Sequence, residues 1–595
     1  MTDSGSATLV AAARAGVADG DAAGDPPASW HGRARVRIWQ QGWIIGEGEA
    51  ADPDAHTAVR AAAARAAADR QPAEQEAPSP DEPASQFHNE FEEPPATEQS
   101  PPTPPAFLEI ETAGAIETIN PQGLSGLLQS VRTPCDGLIL SHDGRLSGGW
   151  PSDPLHAGEP TPYWIKGLLK QARPPGYWLP ASVTVQRFTA TRLLALLEPP
   201  AAANGDPPPD RIVELHGDTR LVAQEEVTHD RLLAAALQAG AWLGRHQRPN
   251  GLFRYEFVPQ RDQWSAADSI VRQAGCAWSM AKLARATRQK PFVAAAARAI
   301  TGLLQTGLRR DGPGSLATLA DGDGHRRVGA IPLTLLALAE IEGRAQGPIS
   351  PTEDLTATLL ALQDRSGAFT QSARGADLEG SETYYAGQCT LALAHRYLTT
   401  KRDRLADAVR AALNHYRDWW AQDTNKDLAF PAWMIQACEL ADAIPATAGA
   451  AEFAYDMADW TLDRQYPSAH PIPVWAGGFE GGPGVGTAAY AEGIAAALAL
   501  ARRRGDIDRA TRYRAALLQA QRFLLQLQLG AADLVFVRSP GHHGAVRRSL
   551  RHRALRCDNA QHLIMATLRT ASLLEQEQRQ TQATDADTAA AAQPD

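Results

Sequence analysis

The sequence predicts a mainly α protein: a closed ring of twelve helices, preceded by a small α/β domain that an acidic, proline-rich tract interrupts. Three observations carry this reading. A turn motif recurs six times at a spacing near 50 to 60 residues, helical patterns fill the intervals, and alternate helices differ in kind.

Residues 1–30 are rich in Ala, Gly and Asp and are expected to be disordered. The segment RARVRIWQQGWIIGEGEA alternates apolar and polar residues about Gly42, as a hairpin does, and the Ala-rich run 55–69 reads as a helix. Residues 71–105 hold too little apolar surface to order themselves and read as an extended linker or loop excursion. From 106 to 200 the short apolar runs FLEIE, GLILSHDG and SVTVQRF suggest strands, with a helix near 163–172. A small α/β domain over 31–200 follows, closed by a proline-rich linker at 201–210. The ring is assigned to 211–576 and a disordered tail to 577–595.

Within the ring the turns are NGLFRYEF at 250, GPGSLATL at 312, SGAFTQ at 366, KDLAF at 426, GGFEGG at 477 and ADLVFV at 532. The helical patterns pair as 227–247 with 266–286, 291–308 with 328–343, and 351–363 with 382–399. The later pairs are 403–421 with 431–443, 447–466 with 487–504, and 508–528 with 556–575. First members are amphipathic, as in KRDRLADAVRAALNHYRDWW, whereas second members are small and apolar almost all round, as in TAAYAEGIAAALALA. A helix apolar on every side is buried, so six outer helices surround six inner ones.

Bulk composition excludes several functions. Of the net charge of −11, eight acids fall in residues 71–100 without a single Lys or Arg, leaving the folded part nearly neutral. No basic nucleic-acid face is expected. Five widely spaced cysteines at 135, 276, 389, 438 and 557 suggest buried thiols in a reducing compartment. No membrane span and no leader pattern is read, so a cytoplasmic protein is expected. The acidic tract is a candidate docking segment for a protein partner.

Over about 360 residues this pattern resembles the (α/α)6 toroid of six-hairpin glycosidases and related sugar-acting enzymes, in its repeat count and its GxF-like turns. Such turns also occur in prenyltransferase and terpene-cyclase toroids. The resemblance implies an enzyme acting on a saccharide, one that contains uronic acid if arginines line the site, by hydrolysis, elimination or epimerisation. A non-catalytic scaffold is the alternative. An isoprenoid-handling toroid is the third reading, weakened because no DxDD motif and no prenyltransferase zinc set are present.

If outer and inner helices alternate, the loops leading into the inner helices emerge at one end and converge on one cavity. Catalytic candidates there are Glu382, Asp558, Glu480, His562 and Tyr385. Substrate-binding candidates are Tyr255, Glu256, Arg272, Tyr384, Trp433, Trp475, Tyr490 and Arg556. Aromatic faces stack on pyranose rings and charged groups bind hydroxyls, while arginines favour an anionic substrate. A carboxylate pair would serve hydrolysis, and Tyr or His would serve proton transfer beside a carbonyl. Glu382 follows Ser381 at a helix start, where an acid is favoured regardless of catalysis. Glu480 gains weight from the glycine-dense run GGFEGGPGVG, where either a tight turn or a close approach is required. His325, Arg326, Arg327, Phe430, His542 and His543 fall in the same loops, the last two read as a metal pair or, by preference, as part of a mobile loop. Asp268 and Arg272, four apart, form either an ion pair or part of the site. In RALRCDNAQHLIMATL, Asp558 and His562 share a helix face and Cys557 turns into the packing. No cofactor fingerprint and no metal set is expected.

Overall fold

The computed structural model describes residues 3–19, 30–70, 106–197, 212–341 and 351–591, apart from 133–134, 175–178, 218, 313, 446, 482, 531 and 540. The first 30 residues are not all irregular. Helix α1 (Asp3–Asp19) buries Leu9, Val10 and Ala13 against Ala58, Val59 and Ala62 of α2 (Ala55–Ala68). One apolar stripe is enough to dock a short helix that composition alone reads as disordered. The acidic tract and the expected linker lie outside the described residues.

The N-terminal sheet is antiparallel, built from β1 (Arg33–Gln40), β2 (Trp43–Ala51), β3 (Phe107–Ile119), β4 (Asp136–His142), β5 (Arg145–Gly149) and β6 (Thr184–Leu196) in the order β2-β1-β3-β6-β4-β5. Helices α3 (Gly123–Ser130), α4 (Asp153–Ala157) and α5 (Thr161–Ala172) complete the domain. The hairpin about Gly42 is present, with positive φ at both Gln41 and Gly42, the twist that matches flanking strands. The sheet runs past the expected linker: β7 (Val213–His216) pairs with β6, and β8 (Thr219–Arg220) pairs with β7. The ring therefore begins with α6.

Alternation along the central strands gives two contrasting faces. Ala34, Val36 and Ile38 meet α1 and α2, whereas Arg35, Arg37, Glu109, Glu111 and Arg192 point to the opposite face and are equally buried. Charges so deep are tolerable only when paired. Arg192 Nε donates to Glu109 at 2.7 Å, Arg37 Nε to Glu47 at 2.9 Å, and Arg35 binds both Glu111 and Asp153.

The ring consists of α6 (His229–Arg245), α7 (Ile270–Thr287), α8 (Lys290–Gly307), α9 (Ala330–Ile341), α10 (Thr352–Leu362), α11 (Glu382–Thr400), α12 (Asp403–Trp420), α13 (Ala429–Ala441), α14 (Ala450–Leu462), α15 (Gly486–Arg504), α16 (Ile507–Leu525) and α17 (Cys557–Ala591). The odd-numbered helices form the inner ring: each packs on the next, and α17 closes on α7. This is an (α/α)6 toroid. The C-terminal segment expected to be a disordered tail continues α17 to Ala591.

The hairpins are offset from the sequence pairing. Each inner helix packs on the outer helix that follows it, and α6 packs on α17 instead of α7. The cause is loop length. Only two residues separate α7 from α8, α11 from α12 and α15 from α16, with left-handed Arg288, Lys401 and Gly505 ending the inner helices. Such turns leave no alternative to antiparallel neighbours.

Four turns share a function, whereas those at 312 and 426 show no such tie among the described residues. Gln247 Nε2 donates to Gly251 O within its own turn at 2.8 Å and to Ala295 O of α8 at 2.9 Å. Gln363 does the same with Gly367 and Ala408, Gln465 with Gly477 and Ala516, and Gln528 with Gly544 and Ala235. Each glutamine ties a glycine turn to the next outer helix, and the last, reaching α6, closes the ring. The sixth turn is thus at Gly544 and not at ADLVFV, whose Asp533–Phe536 forms a short 3-10 helix against the sheet domain, with Phe536 edge-on to Trp39 at 5.1 Å.

The loops also carry short strands: β9 (Glu256–Val258) and β10 (Gln263–Trp264), β11 (Leu308–Arg309) and β12 (Thr318–Leu319), β13 (Ser372–Ala373) and β14 (Ala376–Asp377), then β15 (Arg547–Ser549) and β16 (His552–Arg556). β16 pairs with β9 and touches the sheet domain, where Arg553 Nη2 donates to His156 Nδ1 at 3.1 Å. Among the described residues no helix is long and apolar enough to cross a membrane.

Candidate active site

Because the inner helices run parallel, their N-terminal turns and preceding loops gather at one end around a cavity of about 620 Å³. Every inner helix contributes to it: Arg272 from α7, Leu333 from α9, Tyr385 and Gln388 from α11, Trp433 from α13, Tyr490 from α15, and Asp558 and His562 from α17.

Two clusters organise the walls. In the first, Asp558 receives Arg556 Nε at 2.5 Å and Nη2 at 2.9 Å, and Arg272 Nε lies 2.8 Å from it. Arg272 also bonds the Tyr255 hydroxyl, and both guanidinium groups lie over the Tyr255 ring. The sequence places them so: Arg556 ends β16, Asp558 opens α17, and the Cys557 amide donates to Tyr255 O at 2.9 Å. Cys557 itself is fully buried.

In the second cluster His562 Nδ1 lies 2.8 Å from Glu492 Oε1. Burial opposes protonation of His562, but the hydrogen bond and charge of Glu492, with Asp558 adding, outweigh it and leave the imidazole pKa raised. Glu492 is buried within the apolar run of α15. The Trp433 ring stands edge-on to His562 at 6.0 Å and stacks on Trp278 at 6.1 Å. Tyr385 and Gln388, on α11, are three positions around the ring from α17 and face His562 across the cavity. Burial raises the Tyr385 phenol and pushes Tyr490 up to about 12, so both stay protonated hydrogen-bond donors.

Of the residues singled out in the sequence, Arg272, Tyr384, Tyr385, Trp433, Tyr490, Arg556, Asp558 and His562 line the cavity. Tyr255 stands behind them. Four stand elsewhere. Glu382 turns to the outer ring and accepts a hydrogen bond from Tyr416 OH at 3.2 Å. Glu480 is exposed, and the close approach its glycines serve is made by α16, whose Gln519 carbonyl would lie 2.1 Å from a Cβ at Gly477. Trp475 stacks on His470 at 5.4 Å outside the cavity, and Glu256 pairs across from Arg556 on β9. Asp268 and Arg272 do not pair with each other: Asp268 binds Arg248. Arg327 holds Asp321 at 2.5 Å and also Glu379, which His325 meets as well, while Arg326 pairs with Asp311 and Phe430 is core. His542 is buried, stacked on Phe257 at 4.0 Å, so neither a mobile loop nor a metal pair describes it. Among the described residues no group of His, Cys, Asp or Glu is arranged to hold a metal ion.

Glu492, Gln388, Asp321 and Glu379 escaped sequence reasoning. A signal existed for the first: a lone carboxylate in an otherwise apolar inner helix must have a partner.

No family model and no curated protein matches the chain. Among solved structures, a family 76 glycoside hydrolase from a bovine Bacteroides thetaiotaomicron strain aligns with 79% of this chain and 96% of its own, at 9% identity and a TM-score of 0.45. An unsaturated glucuronyl hydrolase specific for heparin covers 58% of this chain and 98% of its own, at 12% identity and 0.42. Cellobiose 2-epimerase from Bacillus thermoamylovorans covers 55% and 95%, at 12% and 0.41.

Proposed function

We propose that the chain is a carbohydrate-active enzyme that epimerises a neutral saccharide by proton transfer at a carbon beside a carbonyl. The carrying observation is the His562–Glu492 pair, a protonatable imidazole at the cavity wall held by a buried carboxylate. Hydrolysis by two carboxyl groups is disfavoured because each carboxylate lining the cavity is held by an arginine: Asp558 by two, Asp268 by Arg248, and Asp321 and Glu379 by Arg327. A carboxyl that gives a proton to a leaving oxygen cannot be so engaged. The arginines, likewise spoken for, lose their claim on an anionic substrate, and four lining carboxylates face three lining arginines. A uronic acid is therefore disfavoured.

On this reading neutral His562 removes the proton, Tyr385 across the ring gives one to the other face, solvent then takes the proton from His562 and restores the one lost by Tyr385, and Trp433 and Tyr490 stack on the sugar. Incubating the protein with reducing mono- and disaccharides while following anomeric NMR signals tests this reaction. New epimer signals are expected, and His562→Gln should remove them while leaving the circular dichroism unchanged. Binding without turnover across the panel would turn the assignment to a binding protein.

A further inference from the structure

Aromatic residues aside, three buried polar side chains line the toroid cavity: Asp558, Gln388 and Gln561. Asp558 is held by two arginines. The glutamines are 4% and 3% exposed, and neither side-chain amide is hydrogen-bonded among the described residues. Each lies one helical turn further from the cavity mouth than a residue already placed in the site, Gln388 three positions after Tyr385 on α11 and Gln561 three after Asp558 on α17. Asp558, Gln561 and His562 share one face of α17, with Gln561 turned towards α7 and His562 towards Glu492 of α15.

A glycine stands under each amide. Gly275 lies inside α7, where glycine is about 0.5–1 kcal/mol less favourable than alanine. The three atoms nearest to a Cβ built there all belong to the Gln561 amide, Oε1 at 2.2 Å and Nε2 at 2.8 Å among them. Space for that amide is therefore what a side chain at 275 would take away. Gly329, just before α9, repeats the arrangement: a Cβ there would meet Gln388 Oε1 at 2.8 Å.

Buried amides without a protein partner cost about 1–3 kcal/mol each, so two of them on opposite inner helices of one cavity mark where polar atoms of a ligand belong. The atoms they offer differ. Gln388 Oε1 is enclosed against Gly329, which leaves Nε2 to face the cavity, a donor only. Neither amide atom of Gln561 is enclosed, so this residue can both donate and accept. A carbonyl oxygen, which only accepts, suits the first, and a hydroxyl, which does both, suits the second.

We propose that Gln388 and Gln561 hold the reacting end of an open-chain saccharide, with Gln388 Nε2 donating to the carbonyl oxygen and Gln561 bonding the hydroxyl on the neighbouring carbon. This rests on the proton transfer assigned to His562. As His562 takes the proton, the C–H bonding pair forms the C=C bond of an enolate and the carbonyl π pair moves to oxygen, where the Gln388 N–H stabilises the charge. When Tyr385 gives its proton to the other face of the carbon, both pairs return.

Titration calorimetry of the full chain with D-glucose, D-mannose and lactose reads binding, and NMR of epimer signals reads turnover. Gln561→Leu should weaken binding about tenfold or more. Gly275→Ala should do the same without lowering Tm, since alanine favours the helix and only the flexible end of Gln561 has to move. Gln388→Leu should lower kcat about 10²–10³-fold with KM little changed. A wild type that binds none of the three sugars, binding undiminished in Gln561→Leu or in Gly275→Ala, or an unchanged kcat in Gln388→Leu would each overturn the proposal. Binding that Gln561→Leu and Gly275→Ala both weaken, without any epimer from the wild type, would refute the proton transfer and the Gln388 step with it, while upholding the two amides as the ligand site.

Discussion

Gly477→Ala, measured against Gly481→Ala, weighs the contact that fastens the turns to the outer ring. Both glycines have φ near +90°, where an L side chain is strained by about 1–2 kcal/mol. They differ in surroundings. A Cβ at Gly477 would lie 2.1 Å from Gln519 O and 2.5 Å from its carbon, both backbone atoms of α16, whereas a Cβ at Gly481 meets nothing within 4 Å. Since α16 cannot swing aside as a side chain would, overpacking adds about 1–3 kcal/mol at Gly477 only. The expected totals are about 2–5 kcal/mol for Gly477→Ala and about 1–2 kcal/mol for Gly481→Ala. With an unfolding entropy of about 2.1 cal/mol/K per residue over a ring of about 350 residues, these correspond to Tm losses of about 3–7 °C and about 1–3 °C. Calorimetry of the ring transition reads both. Equal losses at the two positions would refute the claim that close approach by α16 is what requires glycine at 477.

Three further outcomes follow from the electrostatics. Because the folded-state pKa of His562 is raised, its stabilising contact with Glu492 is fully present below the unfolded value of about 6.5 and is lost as pH rises through the folded value. Glu492→Gln should therefore remove a decline in stability above about pH 6.5, and denaturation curves that stay parallel to the wild type across that range would contradict this. His542 is shifted the other way, lowered by burial to about 4, so stability falls as pH drops from about 6.5 towards 4; His542→Phe should flatten that fall in acid titrations followed by fluorescence. Asp558→Asn should cost about 2 kcal/mol, a value tempered because Arg272 is partly exposed. A double-mutant cycle with Arg556→Gln should recover about half of that as coupling, and zero coupling would mean that the pair is no more than a surface contact.

The ring was legible because its signals are periodic and long. Twelve helices, the inner or outer character of each, and the shared face of Asp558 and His562 all follow from spacing and apolar content. The pairing of hairpins was not, since the two-residue turns at 288–289, 401–402 and 505–506 lack a consistent Gly or Pro, and Arg and Lys occupy two of the left-handed positions. The glycine run at 477 was legible as a close approach, but sequence cannot say whether backbone or ligand makes the approach. Glu382 satisfied every local rule for a helix start at the cavity end, yet the direction of its side chain is set by Tyr416, one helix further on and distant in pattern. The α1 helix was hidden by composition, because its packing partner is α2, some 40 residues away.

In the proposed reaction His562 is the proton carrier. Incubation with reducing sugars in deuterium oxide, read by mass spectrometry and NMR, should place one solvent deuterium on the carbon beside the carbonyl, and His562→Gln should abolish its incorporation. Turnover of a saccharide without deuterium uptake, or uptake undiminished in His562→Gln, would contradict the central claim.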